Sequence, residues 1–235
     1  MKVTLLKYTP NPELLCAAAA MTSYKDMGTS KMLEKLNLEK ARKIIRRVMS
    51  SGHYSVIEHA SFTFSGEGVS RTLTHQLVRH RIASFTQQSQ RYVRYSALEH
   101  YVKPLSVLEN KEAARIYDAT LLRISDTYQK LLKYEIPKED ARFILPNAAK
   151  TNILITMNGR ELRHFFNLRC CIRSQWEIRR MAMEMLRQAK RVAPAIFENA
   201  GPSCIKLGYC PEGALKDPTC KIAEIKRKFS ELQHC

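Results

Sequence analysis

No aspartate or glutamate falls between Arg79 and Tyr95, where the chain reads RHRIASFTQQSQRYVRY. The four Arg of that run have no partner inside it and must sit in water or meet negative charge elsewhere. Bound phosphate is the source that guanidinium chemistry favours. Acid is scarce throughout: 22 Asp and Glu against 39 Lys and Arg give a formal charge of +17 over 235 residues. Such an excess attracts polyanions, so nucleic acid or an anionic membrane surface has to be weighed against several small phosphorylated ligands. Placement separates the readings. A nucleic-acid binder spreads Lys and Arg along an exposed stripe, whereas here Arg predominates in the apolar-flanked middle and Lys nearer the ends.

Other absences narrow the chemistry. G-E-G at 66–68 is not followed by the third glycine of a dinucleotide fingerprint, so a dinucleotide would have to be held by another architecture. There is no G-x-S-x-G elbow, and Ser89, near Arg91 and without an adjacent base, reads as a positioning group rather than a nucleophile. Cys204, Cys210 and Cys220, with five and nine residues between them and His234 and Cys235 beyond, lack C-x-x-C knuckles; reduced thiols and no metal are expected. Cys170 and Cys171 lack an identifiable general base. Nothing at the start resembles a signal peptide, CAAAAM at 16–21 is too brief to span a membrane, and seven scattered Cys form no disulfide framework; a cytoplasmic protein with no membrane partner is expected. Without repeats, low-complexity tracts or a clear linker, the length predicts one domain over 1–200 and a Cys-containing tail over 201–235.

The periodicity predicts a mixture of elements. Residues 2–8 alternate like a strand, and 12–24 form a helix followed by a polar loop through Ser30. Leu38, Ala41, Ile44, Ile45 and Val48 mark an amphipathic helix over 38–50 that Ser51 and Gly52 end. A strand is predicted from Ser61 to Phe64, broken by Gly66 and Gly68. A helix over 69–79 then delivers Gln76 and the RHR unit to one neighbourhood. Residues 87–93 read as extended, which would put Gln87, Ser89 and Arg91 on one face. Helical patterns cover 111–134 and 138–145, the second stopped by Pro146. A buried strand is predicted over 151–156 and helices over 159–168 and 175–192, the last ended by Pro194. Ile178, Met181, Met185, Ala189 and Val192 form a core stripe on it.

Leu162, Phe165, Phe166 and Arg169 fall at i, i+3, i+4 and i+7, so a permanent charge ends an apolar stripe. Burying it unpaired would be expensive. It either pairs with an acid such as Glu161 or Glu177 or faces a ligand that gains negative charge. His53, His80 and His164 leave a similar choice between a satisfied polar residue and a ligand contact. Arg142 fits a dipole-compensating or snorkelling residue as well as a ligand contact. A hydroxyl at 89 beside a guanidinium at 91 suits a phosphate monoester, though a basic surface strand fits the same residues.

RHR followed by seven residues and Ser, from Arg79 to Ser89 and continued by Arg91 and Tyr92, resembles the signature of the flavin-dependent thymidylate synthases. GHYSVIEH at 52–59, ARFILP at 141–146 and NGRELRHFFNLRCCIRSQWEI at 158–178 resemble that family's other blocks, so the likeness runs from about residue 50 to about residue 190. Thr86 and Gln87 stand where one common version of the signature has Asn and Glu.

The resemblance implies an α/β chain of α+β type, with a mixed or antiparallel sheet packed on long helices in the thymidylate synthase-complementing fold. It implies one catalytic domain and a homotetramer with shared active sites. FAD would lie among His53, Ser55, Glu58, Arg79, His80, Arg81, Gln87, Asn158, Gly159, Arg160 and His164. The substrate dUMP would meet Gln76, Arg79, Gln87, Gln88, Ser89, Gln90, Arg91, Arg142 and Arg169, with Arg169 polarising the uracil ring. NADPH would reduce the flavin and methylenetetrahydrofolate would supply the carbon that turns dUMP into dTMP. All these ligands are anionic, which gives the charge a role without nucleic acid. The rivals are a basic nucleic-acid-binding module, stacking bases on Tyr92, Tyr95 and Tyr101, and an unrelated flavin reductase.

Overall fold

Apolar alternation and helical spacing place most elements where the sequence predicts them. The computed structural model describes residues 1–95 and 98–231; His234 and Cys235 lie outside the described residues. In chain order the elements are β1 (Lys2–Tyr8), α1 (Pro12–Thr22), α2 (Thr29–Lys35), α3 (Leu38–Ser50), β2 (Ser61–Ser70), α4 (Arg71–Leu77), β3 (Ala83–Gln87), α5 (Leu105–Leu108) and α6 (Lys111–Lys133). They continue with α7 (Lys138–Ala141), β4 (Lys150–Asn158), α8 (Gly159–Arg169), α9 (Trp176–Val192), α10 (Ser203–Leu207) and α11 (Ile222–Glu231). Short 3-10 turns cover Tyr54–His59 and Arg142–Ile144. The antiparallel sheet has the order β1-β2-β4-β3, as expected of an α+β chain.

Caps explain where the main helices begin. The side chains of Asn37, Ser70, Asn110 and Asn158 each accept a hydrogen bond from the backbone N–H three residues on, at the starts of α3, α4, α6 and α8. Gln175 does the same for α9, accepting from Glu177 and Ile178.

Three sequence expectations are corrected. β2 runs through Gly66 and Gly68 rather than stopping at Phe64. Gly68 takes φ +64° and donates its N–H to Asn152 Oδ1 at 3.0 Å, so a side chain satisfies the backbone where the pleat is disturbed. α2 begins at Thr29, within the polar loop expected through Ser30, and goes undetected because Met32 is the only buried residue on its seven and leaves no apolar period. The chain is not extended over 87–93. Ser89 folds it into a turn: its carbonyl accepts from Tyr92 and Val93, and its Oγ accepts from Arg91 N–H at 3.1 Å. Gln87, Ser89 and Arg91 therefore do not share a strand face.

The contacts group the residues into two compact units. One comprises 1–2, 66–79 and 85–154; the other 3–65, 80–84 and 155–235. In the first, Tyr95, Tyr101, Leu121, Tyr128, Ala141 and Ala149 form the core, and Tyr95 Oη donates to the Lys150 carbonyl at 2.7 Å. In the second, Phe62, Phe166 and Phe197 meet edge to face, with centroids 5.3 and 5.9 Å apart. Buried Glu13 there receives Arg42 Nε at 2.7 Å and the Ala195 N–H at 2.5 Å. No described helix is long and apolar enough to cross a membrane.

Candidate active site

The start of α8 organises the larger group of predicted residues. Asn158 accepts from Glu161 N–H at 2.9 Å, and Gly159 lets the helix begin directly against the turn before β2. A Cβ at Gly159 would stand 2.7 Å from the Ile57 carbonyl oxygen, which its missing side chain avoids. The Gly159 N–H donates to the Ala60 carbonyl at 2.8 Å. Glu58, on the 54–59 turn, accepts from Arg160 at 2.6 Å; this pair is exposed, as are His53 and Ser55 on the same segment.

One turn along α8 the site becomes buried and chemically specific. His80 is 4% exposed. Arg169 Nε donates to His80 Nε2 across 3.1 Å, so that nitrogen carries no proton. The proton then sits on Nδ1, 3.1 Å from Glu161 Oε1, which accepts it. Burial, the Arg169 charge and His164 push the His80 pKa down to about 4, so the contact with Glu161 is a hydrogen bond from a neutral ring and not an ion pair. Burial raises the Glu161 carboxyl, with His164 pulling it back. The His164 and Phe165 rings stand edge-on to His80 at 5.7 and 5.0 Å.

The Arg169 guanidinium is linked to Glu161 through His80, an intermediary the sequence does not suggest, while the helix persists and its apolar stripe is buried. Ligand atoms of His80, Glu161 and His164 lie within 4.8 Å of one another, a spacing a metal ion could use. Here both ring nitrogens of His80 are already engaged, one by a cation.

The other unit holds the remaining group. Gln87 Nε2 donates to Thr74 Oγ1 at 3.1 Å and to Thr151 Oγ1 at 3.3 Å. Gln88 pairs with Asn152 through both backbone and side chain, at 2.8 and 3.2 Å. Gln87 and Gln90 line a cavity of about 220 Å³ with Thr74, His75, Asn147 and Arg71. Arg71 is a residue that sequence reasoning missed. Its Nη2 donates to the Gln88 carbonyl at 3.0 Å, while its Nε is buried without a hydrogen-bond partner. An Arg directly after a capping Ser was the available signal. Gln76 is carried on α4 of this unit. Arg91 is drawn aside to Glu139 at 2.7 Å, and Arg142 Nε donates to the Glu139 carbonyl at 3.0 Å. Ser89 is engaged by its own turn. Arg79 of this unit, and Arg81, which belongs to the same unit as His80, are exposed and make no ion pair among the described residues.

The scaffold and these side chains define an α+β protein with two groups of polar side chains that each include arginine. Its fold matches a crystal structure of the Helicobacter pylori flavin-dependent thymidylate synthase ThyX complexed with FAD and dUMP, with TM-score 0.70 and 24% identity over 86% of this chain and 100% of that one. Residues 4–195 match the family model for thymidylate synthase complementing protein. A Geobacter sulfurreducens flavin-dependent thymidylate synthase is 50% identical over 99% of both chains, and a Clostridium tetani one 46% identical over 97% of both. The chain belongs to the flavin-dependent thymidylate synthase family.

Proposed function

We infer that the chain is a flavin-dependent thymidylate synthase that reductively methylates dUMP to dTMP, with FAD as cofactor and NADPH and methylenetetrahydrofolate as cosubstrates. The observation that carries this is the neutral His80 held between Arg169 and Glu161. It fixes a guanidinium beside a ring with no charge of its own, as a site needs if it stabilises negative charge arising during reaction.

The residues present fit a flavin dinucleotide. Its pyrophosphate needs cationic and hydroxyl donors, supplied by Arg79, Arg81, Arg160 and Ser55; its uncharged ring needs neutral polar neighbours, supplied by His80, Asn158, Gln87 and the Gly159 backbone. His53, Glu58 and His164 complete the set. When bound, the flavin supplies hydride chemistry, replenished by NADPH, while the folate supplies carbon. Gln76, Arg79, Gln87 to Arg91 and Arg142 hold the nucleotide, with Ser89 and Arg91 on its phosphate. Arg91 must leave Glu139 to do so, a modest cost because both groups are about half exposed. Arg169, kept in place by its bond to His80 Nε2, polarises the uracil ring as that ring gains charge. Glu161 holds the His80 proton at Nδ1 and thereby preserves the acceptor on the other side.

Residues 1–200 serve as the single catalytic domain, with 201–235 as tail; the family match over 4–195 supports that division. The enzyme works in the cytoplasm as a homotetramer with shared active sites, an arrangement in keeping with exposed Arg79 and Arg81, which make no ion pair among the described residues. Purification of the full chain without added cofactor should give yellow protein whose visible spectrum shifts with dUMP, and isotopically labelled methylenetetrahydrofolate should label thymidylate. Colourless protein that binds oligonucleotides in a salt-dependent manner, or yellow protein forming no thymidylate, would reject the reading.

A further inference from the structure

A cavity of about 280 Å³ lies against the outer face of α8, walled by the 54–59 turn and by α10 from the tail. Arg160, Arg163 and Lys206 line it, with His164 beside them, and no carboxylate does. Glu58 answers the charge of Arg160. The other two cations converge on one aromatic ring: the Arg163 guanidinium carbon is 5.7 Å and the Lys206 ammonium 5.0 Å from the Tyr54 centroid. Lys206 Nζ also donates to Tyr54 Oη at 2.8 Å.

Arg163 is nine-tenths buried, and its Nη1 donates to the Ile196 carbonyl at 2.6 Å. Burial draws its pKa down, with Tyr54 and Glu198 opposing. Two cations gathered over one ring in a partly desolvated pocket repel each other, and an anion between them removes that penalty. Ser203, Asn167 and Asn199 add neutral polar groups to the wall that can complete the coordination of an oxyanion.

We propose that this cavity binds the anionic end of a cosubstrate, a phosphate or carboxylate group held by Arg163 and Lys206 over Tyr54. The proposal rests on the reading that puts flavin at Arg160 and His164, which share this wall, and it gives the tail a role, that of presenting Lys206 and Ser203. Two sources carry the required chemistry, the 2′-phosphate of NADPH and the glutamyl carboxylates of the folate.

The test is calorimetric binding to the flavin-loaded full chain and to its Lys206→Gln and Lys206→Glu variants, using NADPH against NADH and polyglutamyl against monoglutamyl methylenetetrahydrofolate. Binding weakened at least fivefold for NADPH with NADH unchanged assigns the phosphate; the same loss for the polyglutamyl folate beyond the monoglutamyl form assigns the carboxylates. Affinities unchanged for all four ligands overturn the proposal. So does loss of flavin absorbance in the variants, which would give the cavity to the flavin's own pyrophosphate. Thymidylate formation by the unsubstituted chain is measured separately, so failure of the enzymatic reading registers there while the binding comparison still reads the subsite.

Discussion

Acidification should weaken this protein through His80, by an amount the site allows us to work out. Unfolded, the imidazole titrates near 6.5; in the native site burial, Arg169 and His164 hold it at about 4. Between those values the unfolded chain binds the extra proton, so stability rises with pH across the window. The contribution of neutral His80 is complete above pH 6.5 and is lost as pH falls toward 4. From pH 7 to pH 5 the loss is about 2 kcal/mol. Glu161 acts with the opposite sign, since burial raises its carboxyl and favours proton uptake by the native state. His80→Asn keeps one donor for Glu161 and one acceptor for Arg169 but cannot take a proton. Urea unfolding at fixed protein concentration, at pH 7, 6 and 5, should show the parent losing about 2 kcal/mol more than this variant. Repeating both in a Glu161→Gln background removes the carboxyl contribution. Parallel curves for parent and His80→Asn in that background would show that His80 is not held neutral by its surroundings, and the orientation argued for Arg169 would fall with it.

Arg91→Ala should weaken dUMP binding by about 2 kcal/mol, the scale of a charge-assisted phosphate contact, and hardly alter stability because its pair with Glu139 is half exposed; unchanged affinity by calorimetry removes Arg91 from the phosphate site. Arg71→Ala should raise KM for dUMP on the order of tenfold, because an Nε buried without a partner beside Gln87 and Gln90 has a hydrogen bond to give; the assignment fails if KM is unmoved while the protein stays folded. Gly159→Ala should cost about 1 to 3 kcal/mol in thermal unfolding, since its Cβ would meet the Ile57 carbonyl at 2.7 Å and backbone must shift; a variant as stable as the parent contradicts that close approach. Arg169→Ala should lower turnover about a hundredfold while leaving flavin content largely intact, as expected for a group acting on developing charge; normal turnover would take it out of the mechanism.

The start of α8 is legible in the sequence because its signals are local. The stripe Leu162, Phe165, Phe166 and Arg169 lies within eight residues, and it predicts both the helix and the unusual position of Arg169. β2 reads too short because glycine acts as a breaker in a single strand, whereas Asn152, distant in sequence, supplies the acceptor that lets the strand continue. The Ser89 turn escapes detection for the complementary reason. Alternation argues for a strand, and the competing serine-to-backbone bond leaves no period behind. Site partners behave similarly: Arg169 and Glu161 are visible as candidates, but His80 joins them only after the chain has folded across more than eighty residues.

The charge excess itself resolves into groups with different chemical availability. Arg42, Arg46, Arg91 and Arg160 each meet a carboxylate, and a ligand phosphate must compete with that carboxylate for them. Arg163 and Arg169 also give hydrogen bonds to neutral acceptors, a carbonyl oxygen and an imidazole nitrogen. Such contacts fix the guanidinium in direction and do not themselves neutralise it. For Arg169 this requires His80 to stay unprotonated, because a proton on Nε2 would remove the acceptor and set two cations side by side. The buried Glu161–His80 bond holds the proton on the far nitrogen and so keeps the cation's support neutral. The acid sensitivity argued for the fold and the charge available to the uracil ring therefore depend on the same hydrogen bond.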